Sequence, residues 1–129
     1  MNKLLLDTNI YSHALRGNPE VIPVLRTAEI LAVCSITIGE LLSGFRGGQR
    51  ERENRAELDD FLVSPRVKAL PIDENTAEFY AVILDQLRRQ GQPIPTNDIW
   101  IAAAAMQHGL TLYSFDAHFQ KIEGLLLLG

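Results

Sequence analysis

An α/β domain built on a mainly parallel sheet is the fold class that this chain predicts, and three observations point to it. Five short apolar runs alternate with longer helical patterns along 129 residues. The runs are apolar nearly throughout, as expected of strands covered on both faces. No internal repeat, linker or low-complexity stretch interrupts the alternation, and the length suits one domain with a real core. Residues 1–129 therefore read as a single unit.

The first run, Lys3–Asp7, leads into a helix over Thr8–Arg16 that Gly17 stops. A shorter helix is expected over Pro19–Thr27, followed by a strand at Ile30–Cys34. Ser35 can cap a helix running to Arg46, closed by Gly47 and Gly48. Gln49–Val63 is charged on one side and carries Leu58, Phe61 and Leu62 on the other, the pattern of an amphipathic helix. Val67–Leu70 is the third strand. Asp73 is a fitting cap for a helix to Gln90, in which Ala77, Tyr80, Leu84 and Leu87 make one apolar stripe. Arg88 and Arg89 suit its C-terminal dipole, and Gly91 ends it. After a loop with Pro93 and Pro95, Thr96 or Asn97 can cap a helix to Gln107, stopped by Gly109. Leu110–Tyr113 and Leu125–Leu128 complete the strands.

Hydrophobic residues make up 47% of the chain and charged residues 22%, proportions of a globular protein rather than a disordered one. No stretch approaches the ~20 apolar residues of a membrane span. The N-terminus is too short before its first acid to read as a signal peptide, so a cytoplasmic protein is expected. The lone cysteine, Cys34, excludes an internal disulfide and reads as a buried small hydrophobe.

Asp7, Glu40, Asp98 and Asp116 are acids at positions where an acid is costly to a fold unless it serves a function. Asp7 ends an apolar run, Asp116 follows another, Asp98 opens a nearly uncharged helix, and Glu40 lies among apolar neighbours. Carboxylates are rarely buried unpaired, because desolvating a charge costs several kcal/mol or forces neutralisation. Net charge is −4, from 12 basic and 16 acidic residues, so these four account for the whole excess. Each has a bland explanation. Asp7 can cap a helix, Glu40 can close a capping box with Thr37, Asp98 can suit a helix N-terminus, and Asp116 can start the turn Phe115-Asp116-Ala117-His118. Together they fit better as one site. In parallel sheets ligands bind beyond the carboxyl ends of the strands, where Asp7 and Asp116 fall. Gathered carboxylates call for a hard cation, Mg²⁺ or Mn²⁺.

The ordered set of motifs resembles the PIN-domain ribonucleases, and more narrowly the VapC-type toxins of bacterial toxin–antitoxin pairs. The matching pieces are Leu6-Asp7-Thr8-Asn9-Ile10, Glu40-Leu41-Leu42-Ser43-Gly44, Asn97-Asp98-Ile99-Trp100-Ile101-Ala102-Ala103 and Tyr113-Ser114-Phe115-Asp116-Ala117-His118-Phe119. The resemblance implies a parallel five-stranded sheet with helices on both faces. It implies an acidic quartet of Asp7, Glu40, Asp98 and Asp116, with Ser114 as a small hydroxyl beside it. Asp7 and Asp98 are then the expected direct metal ligands, and Glu40 and Asp116 hold water or a second ion. The implied activity is metal-dependent endoribonuclease action as the toxin of a type II system, on RNA, as a homodimer controlled by a small antitoxin. The alternative is a PIN-type nuclease of RNA processing or repair without an antitoxin.

Other classes fit less well. A haloacid-dehalogenase-type phosphatase wants a second Asp two residues after the first, and position 9 is Asn. A receiver-like signalling domain wants a Lys after its fifth strand, and none follows Leu128. A catalytically dead binding module would not need all four acids. Two further features stay open. His13 and His108 lie at helix ends, a favourable charge placement, whereas His118 is the one histidine near the expected site. Arg46, Arg50, Arg52 and Arg55 can face phosphate or, interleaved with Glu51, Glu53 and Glu57, form a solvated surface.

Overall fold

The computed structural model describes residues 2–129. Strands β1 (Lys3–Leu6), β2 (Ile30–Cys34), β3 (Val67–Leu70), β4 (Thr111–Tyr113) and β5 (Leu127–Leu128) form one sheet in the order β3-β2-β1-β4-β5. Every pairing is parallel. Parallel neighbours need long crossovers, and these are supplied by α1 (Thr8–Leu15), α2 (Val21–Thr27), α3 (Ser35–Arg46), α4 (Glu51–Leu62), α5 (Glu74–Arg89) and α6 (Thr96–Gln107). A 3-10 turn over Ala117–Lys121 connects β4 to β5.

The two faces of the sheet are sorted by the strand period of two. Leu5, Ala32, Cys34 and Leu112 point to one side and pack with Ile83 and Leu87 of α5 and with most of α6. Leu4, Leu6, Leu31, Val33 and Tyr113 point to the other and pack with Ile10 of α1 and Val21 at the start of α2. Helix α6 is buried from Ile101 to Ala105, all at 0% exposure. Its four alanines leave room for sheet on one side and α5 on the other, which is why this helix lacks a polar face. A smaller cluster of Tyr11, Leu41, Phe45 and Leu58 fastens α3 and α4 against α1.

Most expected elements appear within two residues of their predicted bounds, and the differences have local causes. Ser35 is the first helical residue of α3 rather than its cap, and its hydroxyl donates instead to the Leu70 carbonyl at 3.4 Å. Neither Thr96 nor Asn97 caps α6; Pro95 holds that position without a side-chain bond, its carbonyl accepting from the Asp98 and Ile99 amides, and the Asn97 side chain donates to Glu40. Helix α2 begins at Val21, two residues after Pro19, and α4 at Glu51. Strand β5 is confined to Leu127–Leu128, since Leu125 packs into the core rather than extending the ladder. Asp73 caps α5 as expected, accepting from the Asn75 and Thr76 amides, with Thr76 completing a capping box.

Phe119 links this core to the carboxyl edge of the sheet. It is fully buried in the core cluster and lies inside the 3-10 turn, so its ring anchors the segment that carries Asp116 and His118. Phe119→Ala should cost roughly 3–5 kcal/mol of stability, the range for emptying a buried aromatic site. Urea unfolding followed by circular dichroism checks this. A loss below ~1 kcal/mol would mean that the turn is held by its backbone alone.

Candidate active site

The strand order reverses direction between β1 and β4, and the crevice beyond their carboxyl ends is the usual ligand position of an open parallel sheet. Leu6 pairs with Tyr113, so the next residues, Asp7 and Ser114, stand side by side. The Asp7 amide donates to the Tyr113 carbonyl at 3.0 Å, extending the ladder by one bond. The Ser114 hydroxyl donates to Asp7 Oδ2 at 2.8 Å, and Asp7 Oδ1 accepts from the Thr8 amide at 2.8 Å. Asp7 thus caps α1 and faces the crevice at once, with only 5% of its surface exposed.

Ser114 also accepts from the Asp116 amide at 2.9 Å, which turns the chain so that Asp116 leads into the 3-10 turn. Asp116 Oδ1 accepts from the His118 amide at 2.9 Å. The His118 ring then lies between two acids, with Nδ1 at 3.0 Å from Asp98 Oδ2 and 3.2 Å from Asp116 Oδ1. Nδ1 can donate to either carboxylate when it carries the ring proton. Asp98 reaches this point from the first turn of α6. Ligand atoms of Asp98, Asp116 and His118 all lie within 4.8 Å of one another, the one such triad among the described residues.

Glu40 approaches from α3. Its Oε1 accepts from the Thr8 hydroxyl at 2.5 Å and its Oε2 from the Asn97 amide at 3.2 Å. The capping box with Thr37 does not form; Thr37 is buried and its hydroxyl meets the Cys34 sulfur at 3.8 Å. All four acids and Ser114 therefore border one crevice. The close triad joins Asp98 to Asp116 and His118, with Asp7 and Glu40 outside it. His118 takes a larger part than its place in the sequence indicates, and the motifs do not mark Thr8 and Asn97 as partners of Glu40. A hydroxyl and an amide directly next to Asp7 and Asp98 are the signal that could have found them.

Electrostatics couple the group. Burial pushes the Asp7 carboxyl above its ordinary range; Ser114 and Thr8 pull it back, and the charges of Asp98 and Glu40 push it up again. Burial likewise raises Asp98. The His118 contact opposes this, while Asp116 and Glu40 add to it. Without a cation the folded chain holds carboxylates that resist ionisation, a cost that a bound divalent ion would offset. Two carboxylates and an imidazole, with Asp7 alongside, form an oxygen-rich donor set that a divalent cation would fit.

Residues 4–125 match the PIN domain family. The chain belongs to the PIN-domain family. Among similar proteins, Ribonuclease VapC2 of Haemophilus influenzae is 35% identical over 116 residues, spanning 88% of this PIN domain chain and 86% of the relative. Ribonuclease VapC1 of the same species is 30% identical over 126 residues, spanning 94% and 92%. A crystal structure of VapBC2 from Rickettsia felis bound to a DNA fragment from its promoter superposes with a TM-score of 0.86 at 25% identity, covering 97% of this chain and 96% of that one. The expected PIN fold, with its five-stranded parallel sheet, is thereby established.

A stability prediction follows from the two raised carboxyls. An acid whose folded pKa exceeds its unfolded value near 3.9 binds protons more tightly when folded. Stability is then lost as pH rises from that unfolded value through the folded one, and the penalty is fully present at neutral pH. In EDTA at pH 7, Asp98→Asn should melt above wild type, and the gap should close as pH falls through the acidic range. Mg²⁺ should raise wild type by linkage, ~2.7 kcal/mol at 100 times its dissociation constant, and the variant far less. A variant that melts below wild type without metal would show that Asp98 serves the helix through His118 rather than the ion.

Proposed function

We propose that this chain is a metal-dependent endoribonuclease and the toxin of a type II toxin–antitoxin pair. The observation that carries the reading is the meeting of Asp7, Glu40, Asp98, Asp116 and His118 at one sheet edge, in a chain whose relatives over nearly its whole length are VapC ribonucleases. The VapBC likeness favours an antitoxin partner over the alternative of an RNA-processing nuclease working alone. Working on cellular RNA beside that partner, the protein acts in the cytoplasm, and a homodimer is the assembly we expect; light scattering of the antitoxin-free chain tests the latter.

Mg²⁺ or Mn²⁺ bound at this site supplies charge neutralisation at the phosphate and a water made acidic enough to attack it. We assign Asp98 and Asp7 as ligands, approaching from α6 and from the end of β1. Asp116 and His118 complete the oxygen and nitrogen donors around Asp98. Ser114 fixes the Asp7 carboxylate in one orientation through its 2.8 Å bond. Glu40, held at both oxygens by Thr8 and Asn97, has the fixed geometry needed to orient a water and take its proton. The attacking oxygen bonds to phosphorus as the bond to the departing ribose oxygen breaks. The N-terminus of α6 faces the same crevice and favours the phosphate's negative charge.

Purified chain freed of antitoxin should cut RNA with Mg²⁺ or Mn²⁺, stop in EDTA, and work poorly with Ca²⁺, which takes more ligands at longer distances. Asp7→Asn and Asp98→Asn should abolish cleavage while the protein stays folded. Glu40→Gln and Asp116→Asn should lower the rate by ~10²-fold or more. Gel assays on labelled RNA read these effects. Full activity in EDTA, with metal absence confirmed by elemental analysis, would falsify the mechanism.

The antitoxin should silence the same site. A basic side chain from it can replace the cation among the acids while an amphipathic segment fills a neighbouring groove. Co-purified complex should therefore leave RNA intact that the free chain degrades. A complex as active as the free toxin would remove the antitoxin from this reading.

A further inference from the structure

A groove of about 520 Å³ opens from the acidic site and runs between α1, α3 and α4. Its near end is Thr8 and Glu40, the hydrogen-bonded pair at the crevice. Arg16, Arg50, Asn54 and Ser12 also line it. Thr8 and Ser12 lie on α1 and Arg16 is its C-cap, each four residues from the next, so they fall along one face. At a rise of 1.5 Å per residue, Arg16 sits ~12 Å along the helix from Thr8. One groove therefore has an acidic end and a basic end.

Two arginines stand at this basic end, Arg16 and Arg50. Neither has a carboxylate within ion-pair distance; among the described residues only Arg89 and His118 do. Arg16 makes one long contact, 3.4 Å from Nη2 to His13. Arg50 occupies the N-cap position of α4 and makes no capping bond. That position ordinarily goes to Ser, Thr, Asp or Asn, which accept from the free amides. A cation there opposes the helix dipole, and Glu51 and Glu53 in the next turn offset it only in part. Such a placement does not help α4. It does concentrate positive potential at the mouth of a groove leading to negative carboxylates.

We propose that Arg16 and Arg50 seat a phosphate of the RNA strand flanking the scissile bond, with Ser12 and Asn54 as neutral donors. The inference rests on the ribonuclease reading above and adds the path of the strand. A polyanion approaching an acidic crevice is repelled by it, and a phosphate contact ~12 Å away holds the strand in register without touching the reacting atoms. The arginines are positioning residues. RNA is favoured over an acidic protein segment because the groove is continuous with the phosphodiester site and offers guanidinium forks, hydroxyl and amide donors that match phosphate oxygens.

The test uses full-length chain and a 12-nucleotide single-stranded RNA of mixed sequence. Binding is followed by fluorescence anisotropy in EDTA over a salt series, and cleavage with Mn²⁺. Arg16→Ala and Arg50→Ala should each weaken binding by roughly tenfold, the worth of a hydrogen bond to a charged group. Each should flatten the slope of log affinity against log salt by ~0.7, one single-strand phosphate contact. KM should rise while kcat stays near wild type, as when binding common to ground and transition states is lost. Arg16→Lys and Arg50→Lys, which keep the charge, should restore the slope. Arg52→Ala, on the same helix but outside the groove, should change little. Both arginines are exposed, so folding is preserved, and melting curves verify it.

Unchanged affinity, slope and KM in a wild type that cleaves RNA would overturn the subsite and leave the ribonuclease reading intact. Equal losses from Arg52→Ala would reduce the effect to net charge and overturn it too. Variants that bind RNA normally but release the antitoxin would assign the groove to the protein partner instead. A wild type that neither binds nor cuts RNA would remove both readings together.

Discussion

The hydrogen bond from Ser114 to Asp7 joins the two strands on which the site depends. It exists because β1 and β4 are adjacent, parallel and in a register that sets Leu6 against Tyr113. The same hydroxyl accepts from the Asp116 amide and so aims the following turn. A buried carboxylate at this place is tolerable only if its oxygens are satisfied, and here one backbone amide and one hydroxyl satisfy both. Everything else at the crevice is built out from that pair: the 3-10 turn behind Asp116, the His118 ring that bridges to Asp98, and α6 carrying Asp98 inward.

Stability and function pull against each other at this edge. The core supplies the rigidity: alanine-rich α6 is fully enclosed and Phe119 pins the turn. With helix, turn and strand fixed from behind, the carboxylates cannot swing apart to relieve their repulsion. Burial and mutual charge both raise the carboxyls of Asp7 and Asp98, the expected signature of a site assembled for a cation rather than for the apo fold. The His118 ring nitrogen, set between Asp98 and Asp116, opposes the rise at Asp98.

Glu40 shows how a residue is committed to one role by its partners. In isolation its spacing from Thr37 suits a capping box. In the folded chain both of its oxygens are taken by side chains from other helices, Thr8 of α1 and Asn97 of α6. Three helices are thereby fastened at the crevice. The groove leaving it toward Arg16 and Arg50 gives the site a polarity, acids at one end and guanidinium groups at the other.

Much of this was legible in the chain itself, because it is local. Apolar runs marked the strands, Asp73 marked the start of α5, and Gly17, Gly91 and Gly109 marked helix ends where φ is +73°, +63° and +65°. The four acids stood out by their apolar flanks, and their convergence was expected from strand–helix alternation. What only the tertiary structure decided is which groups meet. Thr8 with Glu40, Asn97 with Glu40, and His118 with Asp98 are separated by 32, 57 and 20 residues. Arg16, at the C-cap of α1, shares a groove with Arg50, at the N-cap of α4. Such meetings depend on strand order and helix packing, which burial sets over the whole chain at once. Local sequence determines that an acid or an arginine is present; the fold determines what stands opposite it.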